Sequence, residues 1–185
     1  MTCIVGLVHE GGVYIGGDAA GVDGADLRVR SDKKVYLNGE YAIGFAGSFR
    51  QGQLIHYKLA APPVQADVEL SQFMVTTFVD AVRSCLIEGG VADLQGGEMN
   101  RGTLIVGVRG RLFTIECDYN VGEEPGGFTA IGCGAPVALG VLFALRHSAD
   151  VDPVTKVRTA LEAAERFSAG VRGPFIVTKT AARRE

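Results

Sequence analysis

The stretch TCIVGLVHEGGVYIGGD, residues Thr2 to Asp18, decides how the rest of the chain is read. Residues 2–8 and 12–17 are apolar and rich in β-branched side chains, and Gly11-Gly12 lies between them as a turn. We read two antiparallel strands, a hairpin placed at the very start. Thr2 directly follows Met1, and methionine is trimmed when the next side chain is small. A threonine at a free amino end carries its hydroxyl beside its own α-amine, whose reference pKa of about 7.7–8.0 leaves much of it neutral near pH 7. That amine can take the hydroxyl proton directly or through a water, so Thr2 is a candidate nucleophile after removal of Met1.

Working outward, a polar, Gly-rich connection from Ala19 to Asp26 leads to short strands at Val35–Leu37 and Tyr41–Phe45. The Asn38-Gly39 pair between them is a tight-turn signal. Ser48 followed by Gln51 has the form of a capping box and predicts a helix to about Ala60, stopped by Pro62-Pro63. The next helix carries Leu70, Met74, Phe78, Val82 and Leu86 at every fourth position, widened by Phe73 and Val79. Residues 89–101 read as a flexible loop. Thr103–Val108 and Leu112–Cys117 flank Arg109-Gly110-Arg111 as another hairpin. A strand at Phe128–Ile131 passes through Gly132-Cys133-Gly134 into a helix with Val137, Val141 and Leu145 on one face. Asp152-Pro153 caps a last helix that buries Val154, Val157, Leu161 and Ala164, and Phe175–Thr178 closes as a strand. Strands that meet in hairpins give antiparallel sheets, an α+β rather than a doubly wound arrangement. We expect one domain over residues 1–185.

Composition narrows the function classes. Hydrophobic residues are 47% and charged residues 21%, a globular profile, with a net charge of −3 and acids and bases interspersed. The basic cluster Arg183-Arg184 is too small for a nucleic-acid footprint, so no nucleic-acid partner is expected. No apolar run of the raw sequence approaches the ~20 residues of a membrane span, and we expect no membrane partner. Cys3, Cys85, Cys117 and Cys133 form no CxxC pair and three histidines are scattered, which predicts neither metal nor cofactor and suits a reducing, cytoplasmic setting.

The Thr2–Asp18 stretch, with Lys33-Lys34-Val35, Gly44-Phe45-Ala46-Gly47 and Ala130-Ile-Gly-Cys-Gly-Ala-Pro136, resembles the proteasome β-type peptidases. The likeness is greatest to the bacterial proteasome-like threonine peptidase that works with an unfoldase ATPase. It covers nearly the whole chain, and the Thr-to-Asp-to-Lys spacing matches without a gap. The resemblance implies the four-layer α-β-β-α sandwich of N-terminal-nucleophile (Ntn) hydrolases, with two antiparallel sheets. It implies Thr2 as nucleophile, Lys34 as the cation beside its hydroxyl, Asp18 as the partner of that lysine, and the Gly47 N–H as oxyanion donor. Around these it implies Cys133, standing where the family carries a serine, and Glu165 and Ser168 near the end of the last helix. Asp32 and Phe45 are implied to shape the substrate pocket, a shallow one given the bulk of Phe45. Further implications are polypeptide substrates, self-assembly into homo-oligomeric stacked rings, and an ATP-dependent unfoldase as feeder.

Two other readings stay open on the sequence: a silent ring-forming subunit of the same fold, and an Ntn amidohydrolase acting on a small amide, since fold alone does not fix substrate. Gly132-Cys133-Gly134 between strand and helix lacks the third glycine and the later acid of a dinucleotide loop, so nucleotide binding is set aside.

Overall fold

The computed structural model describes residues 1–91 and 102–181. The N-terminal hairpin pairs β1 (Ile4–His9) with β2 (Gly12–Gly17) in antiparallel register. Its turn is Glu10-Gly11, with φ of 47° and 71°, so the reversal comes one residue before the Gly11-Gly12 pair read from sequence, and Gly12 opens β2 opposite His9. Two consecutive left-handed residues are the signature of the hairpin turn whose twist matches the strands. The connection expected at Ala19–Asp26 is instead a second hairpin, β3 (Ala20–Asp23) with β4 (Asp26–Val29), a separate two-stranded sheet. Its strands are four residues each and mostly exposed, too short for a sequence reading to set apart from a polar connection.

Strand β10 (Phe128–Ile131) flanks β1, and β11 (Ile176–Lys179) flanks β2, giving the order β10-β1-β2-β11. The second sheet runs β5 (Val35–Asn38), β6 (Tyr41–Ala46), β7 (Thr103–Val108), β8 (Arg111–Ile115), β9 (Val121–Glu123). Every pairing is antiparallel. The sheets face each other across a core that includes Ile4, Val13, Ile15, Val35, Ala42, Ile105 and Leu112. Strand periodicity sets this: Ile4 faces the opposing sheet, while Cys3, Val5 and Leu7 face helices α4 (Ala135–Leu145) and α5 (Pro153–Phe167) in a second core. Gly44 lets the sheets close, since a Cβ there would stand 2.5 Å from Ile4 Cγ2. A third core lies between the second sheet and α1 (Phe49–Tyr57), α2 (Leu70–Phe73) and α3 (Val79–Glu88). Helices, sheet, sheet, helices: the chain is a four-layer α-β-β-α sandwich.

Several local expectations change. Ser48 precedes α1 but its side chain makes no cap bond, because Gln51 turns inward and is buried against Gly102. The predicted helix of fourfold spacing is α2 and α3 joined by a π turn, Met74–Phe78. Four residues overshoot one 3.6-residue turn by about 40°, so a strict every-fourth stripe would wind off the sheet. The wider π turn resets the phase, and Met74, Phe78, Val82 and Leu86 all end fully buried. This Leu70–Glu88 segment is long and apolar enough on paper to cross a membrane, contrary to the raw-sequence expectation; here its apolar stripe covers the second sheet. In α4 the buried positions are Ala138 and Leu142, not the Val137–Val141–Leu145 face. That helix is apolar on every side, so periodicity could not choose. Val154 on α5 is partly exposed rather than buried, and β9 was not anticipated. Most of the predicted 89–101 loop lies outside the described residues.

Candidate active site

Thr2 shares strand parity with Ile4, so its side chain enters the end of the inter-sheet layer. Asp18 follows the last residue of β2, and Lys34 precedes the first of β5. One strand end from each sheet thus converges on the threonine. Lys34 Nζ donates to Thr2 Oγ1 at 2.7 Å and to Asp18 Oδ1 at 2.8 Å. Asp18 also accepts the backbone N–H groups of Cys3 (3.0 Å), Ala20 (3.0 Å) and Arg172 (3.3 Å). All three side-chain owners are 2–3% exposed. A lysine and a carboxylate buried this deeply cost several kcal/mol of desolvation unless paired and hydrogen-bonded, and here both conditions hold. Burial pulls the Lys34 pKa below its ordinary value of 10.5, and the Asp18 carboxylate beside it opposes that fall.

The main chain of Thr2 is held separately. Its N–H donates to Cys133 Sγ at 3.4 Å, and its C=O accepts from Gly134 N–H at 3.3 Å and faces the Cys133 thiol at 3.5 Å. Gly132 is obligatory in this turn, because a Cβ would stand 2.2 Å from the Thr2 carbonyl oxygen. The Gly-Cys-Gly turn is therefore a cradle for Thr2. Met1 remains attached, so Thr2 N is an amide, and Thr2 Oγ1 donates to the Met1 carbonyl at 2.5 Å. Cys3, next along, is fully buried beside Asp18, and its thiol is pushed up to about 12, which makes it inert.

Of the other residues singled out by sequence, Gly47 is exposed just beyond β6 at φ 113°, on the strand whose Phe45 N–H binds the Lys34 carbonyl (3.1 Å). Glu165 makes no bond to Thr2. Its carboxylate accepts Gly173 N–H at 3.0 Å and pairs with the Arg172 guanidinium at 3.8 Å, bracing the segment that donates to Asp18. Ser168 ends α5 through its backbone, donating to Ala164 O and accepting from Val171 N–H. Phe45 is 4% exposed, packed edge-on against Phe49, with its ring in the space a Cβ on Gly52 would need. It lies in the helix-facing core. The cavity that Phe45 and Asp32 line with Lys33, Gly52 and His56 is ≈ 10 Å³, about one water. Asp32 spends its carboxylate on Arg30, two bonds of 2.8 Å. What sequence reasoning missed are backbone groups, those of Cys3, Gly134 and Arg172, for which side-chain identity gives no signal.

Comparison with known proteins follows this geometry. No family model matches the chain. The proteasome subunit beta of Gordonia bronchialis is 32% identical over 203 residues, covering 96% of this chain and 65% of its own length. That of Rhodococcus opacus is 29% identical over 177 residues, covering 87% and 58%. The solved structure of Thiobacillus denitrificans BPH superposes with a TM-score of 0.82 at 18% identity, covering 99% of this chain and 100% of that one. Eukaryotic HslV from Trypanosoma brucei gives 0.70 at 21%, covering 96% and 98%. The chain has the fold of these proteasome-type structures and is similar in sequence to proteasome β subunits. It spans 58% to 65% of the length of these curated relatives. The proteasome-type fold explains why strand ends from two facing sheets meet at one threonine.

Proposed function

We propose that the chain is an N-terminal-threonine peptidase whose nucleophile is Thr2 after loss of Met1. One observation carries this: a single buried ammonium, Lys34 Nζ, bridges the Thr2 hydroxyl (2.7 Å) and the Asp18 carboxylate (2.8 Å). That places a cation on the one oxygen that must become a nucleophile, and a carboxylate behind the cation. In the proposed reaction the freed α-amine accepts the Thr2 hydroxyl proton and Oγ1 attacks the scissile carbonyl carbon. Lys34 stabilises the charge growing on Oγ1, and the Gly47 N–H serves as donor to the oxyanion. The C–N bond breaks, the leaving amine departs with the proton, and an ester remains on Thr2. Water then adds to the ester carbonyl, the amine again taking the proton; the C–Oγ1 bond breaks, Oγ1 takes that proton back, and the carboxylic product leaves with Thr2 restored. Cys133 Sγ, now against the amine, keeps it oriented.

Around this chemistry we propose polypeptide substrates, homo-oligomeric stacked rings with the sites inside, a cytoplasmic setting and an ATP-dependent unfoldase partner. The test begins with intact mass: purified protein should lack Met1. Thr2→Ala should then abolish peptide hydrolysis with the circular dichroism spectrum unchanged, and Thr2→Ser should keep measurable activity because hydroxyl and amine both survive. Full turnover by Thr2→Ala would refute the assignment.

A further inference from the structure

The hairpin β3–β4 and the first residue of α1 enclose a cleft of ≈ 360 Å³ bordered by Gly21, Asp23, Asp26, Arg28, Arg30 and Phe49. It adjoins the Thr2 centre, since Lys34 Nζ lies 5.6 Å from the Phe49 ring centroid. The same ring carries the Arg30 guanidinium at 4.1 Å, fixed by Asp32 through two bonds of 2.8 Å. Gly21 leaves room for the arginine stem, because a Cβ there would stand 2.6 Å from Arg30 Cδ.

Charge along this cleft is ordered by hairpin register. Arg30 is at the base, its N–H bonded to Ala19 O at 2.8 Å, one residue past Asp18. Arg28 pairs with Gly21 midway, and Asp23 pairs with Asp26 at the tip. With Asp32 balancing Arg30, the near half keeps one net positive charge through Arg28, and the tip, about three residues or roughly 10 Å out at strand rise, is anionic. The cleft also lies on one definite side of the nucleophile. Met1, which prolongs the chain from Thr2 N, lies on Gly170, where a Cβ would stand 2.2 Å from Met1 Cβ; that is the amine side. Lys34 and Phe49 are on the hydroxyl side. An acyl group bonded to Thr2 Oγ1 therefore starts beside Lys34, close to the Phe49 end of this cleft.

We propose that Arg30, held by Asp32, is a specificity-determining residue, and that the cleft selects peptides with an acidic side chain next to the scissile bond and a basic one about three residues upstream. This rests on the peptidase reading above. Stacking on Phe49 preorganises the guanidinium, so little side-chain entropy is lost on meeting a carboxylate, while Asp32 competes for the same donors.

Two series of fluorogenic pentapeptide amides test it with the Met1-processed protein. In the first, the residue before the scissile bond is Glu, Gln or Lys; in the second, the residue three positions upstream is varied likewise. We expect kcat/KM to favour Glu over Lys by roughly threefold to tenfold in the first series, the scale of one partly exposed ion pair, and Lys over Glu in the second. Arg30→Gln should bring the first ratio to about one. Asp32→Asn, which frees the guanidinium from its internal carboxylate, should enlarge it. The double change Asp23→Asn, Asp26→Asn should erase the second preference. Because each ratio is taken within one protein, partial misfolding of a variant does not alter it. A preference for Lys beside the scissile bond, or an unchanged ratio in Arg30→Gln, overturns the proposal while leaving the peptidase reading intact. Absence of hydrolysis across both series defeats the peptidase reading and this inference with it.

Discussion

Replacing Lys34 with alanine removes the donor that serves both Thr2 Oγ1 and Asp18 Oδ1. Turnover should fall by roughly 10²–10⁴, the range for losing assistance to proton transfer, and stability by about 3–5 kcal/mol, since Asp18 stays buried without its cation. Lys33→Ala should leave both nearly unchanged, because Lys33 is exposed on the opposite side of the strand. Steady-state rates and urea melts of the two variants check this together. The pH profile offers a second handle. Activity should rise as the α-amine loses its proton, around 7.7–8.0 for a reference amine, then fall as Lys34 loses its own. Burial lowers the Lys34 pKa, so this alkaline fall should come below 10.5. Lys34→Arg, a cation throughout, should lose the alkaline limb, and a limb that persists there assigns it elsewhere. The sign for stability follows: between the folded pKa and 10.5 the unfolded chain holds more protons, so raising pH there relieves a cost of burying the ammonium. The meeting of Thr2, Asp18, Lys34 and Cys133 was anticipated through a family resemblance carried by short motifs at strand ends and turns, and the structure brings these four side chains together. Phe45 shows the limit, since sequence position put it near the pocket while strand parity turned its ring into the helix-facing core.

Hairpins were easier to read than the helices that cover them. Apolar runs bounded by turn signals marked β1, β2, β5 to β8 and β10 within a residue or two, whereas β3 and β4, four residues each and mostly exposed, were not read as strands. The helices show what periodicity omits: an all-apolar α4 offers no preferred face, and an every-fourth stripe needed a π turn to stay on its sheet. The first turn supports a prediction of its own. Glu10 occupies a left-handed conformation, φ 47°, which asparagine tolerates better. Glu10→Asn should therefore raise stability by about 0.5–1 kcal/mol, read as a higher urea midpoint at constant slope. An unchanged or lower midpoint would mean the turn is not strained.

At the scale of the molecule, the outer helix layer leaves large apolar side chains uncovered: Phe143 on α4 is 58% exposed and Phe167 at the end of α5 is 75% exposed. Closed rings need complementary patches on each subunit, and exposed aromatics in an otherwise charged surface are candidates for them. Sedimentation at low micromolar concentration should find a large homo-oligomer, and Phe143→Asp should shift it toward smaller species. A wild-type monomer cleaving peptides at full rate would remove the ring reading and spare the threonine chemistry. Antiparallel sheets were legible from the succession of hairpins, and the layer order from the family resemblance; which surfaces stay open was not, because it depends on how faces fill in three dimensions. One earlier contact also bears on time. Asp18 is completed by the N–H of Arg172, and the neighbouring Ala19 N–H is taken by the Arg172 carbonyl, a partner 154 residues downstream. A ribosome delivers those groups roughly 10–30 s after Thr2, so a half-made chain carries the threonine and the lysine but lacks one of the bonds that fix their carboxylate. On the peptidase reading, a nascent chain should cut its neighbours poorly until Arg172 has been made.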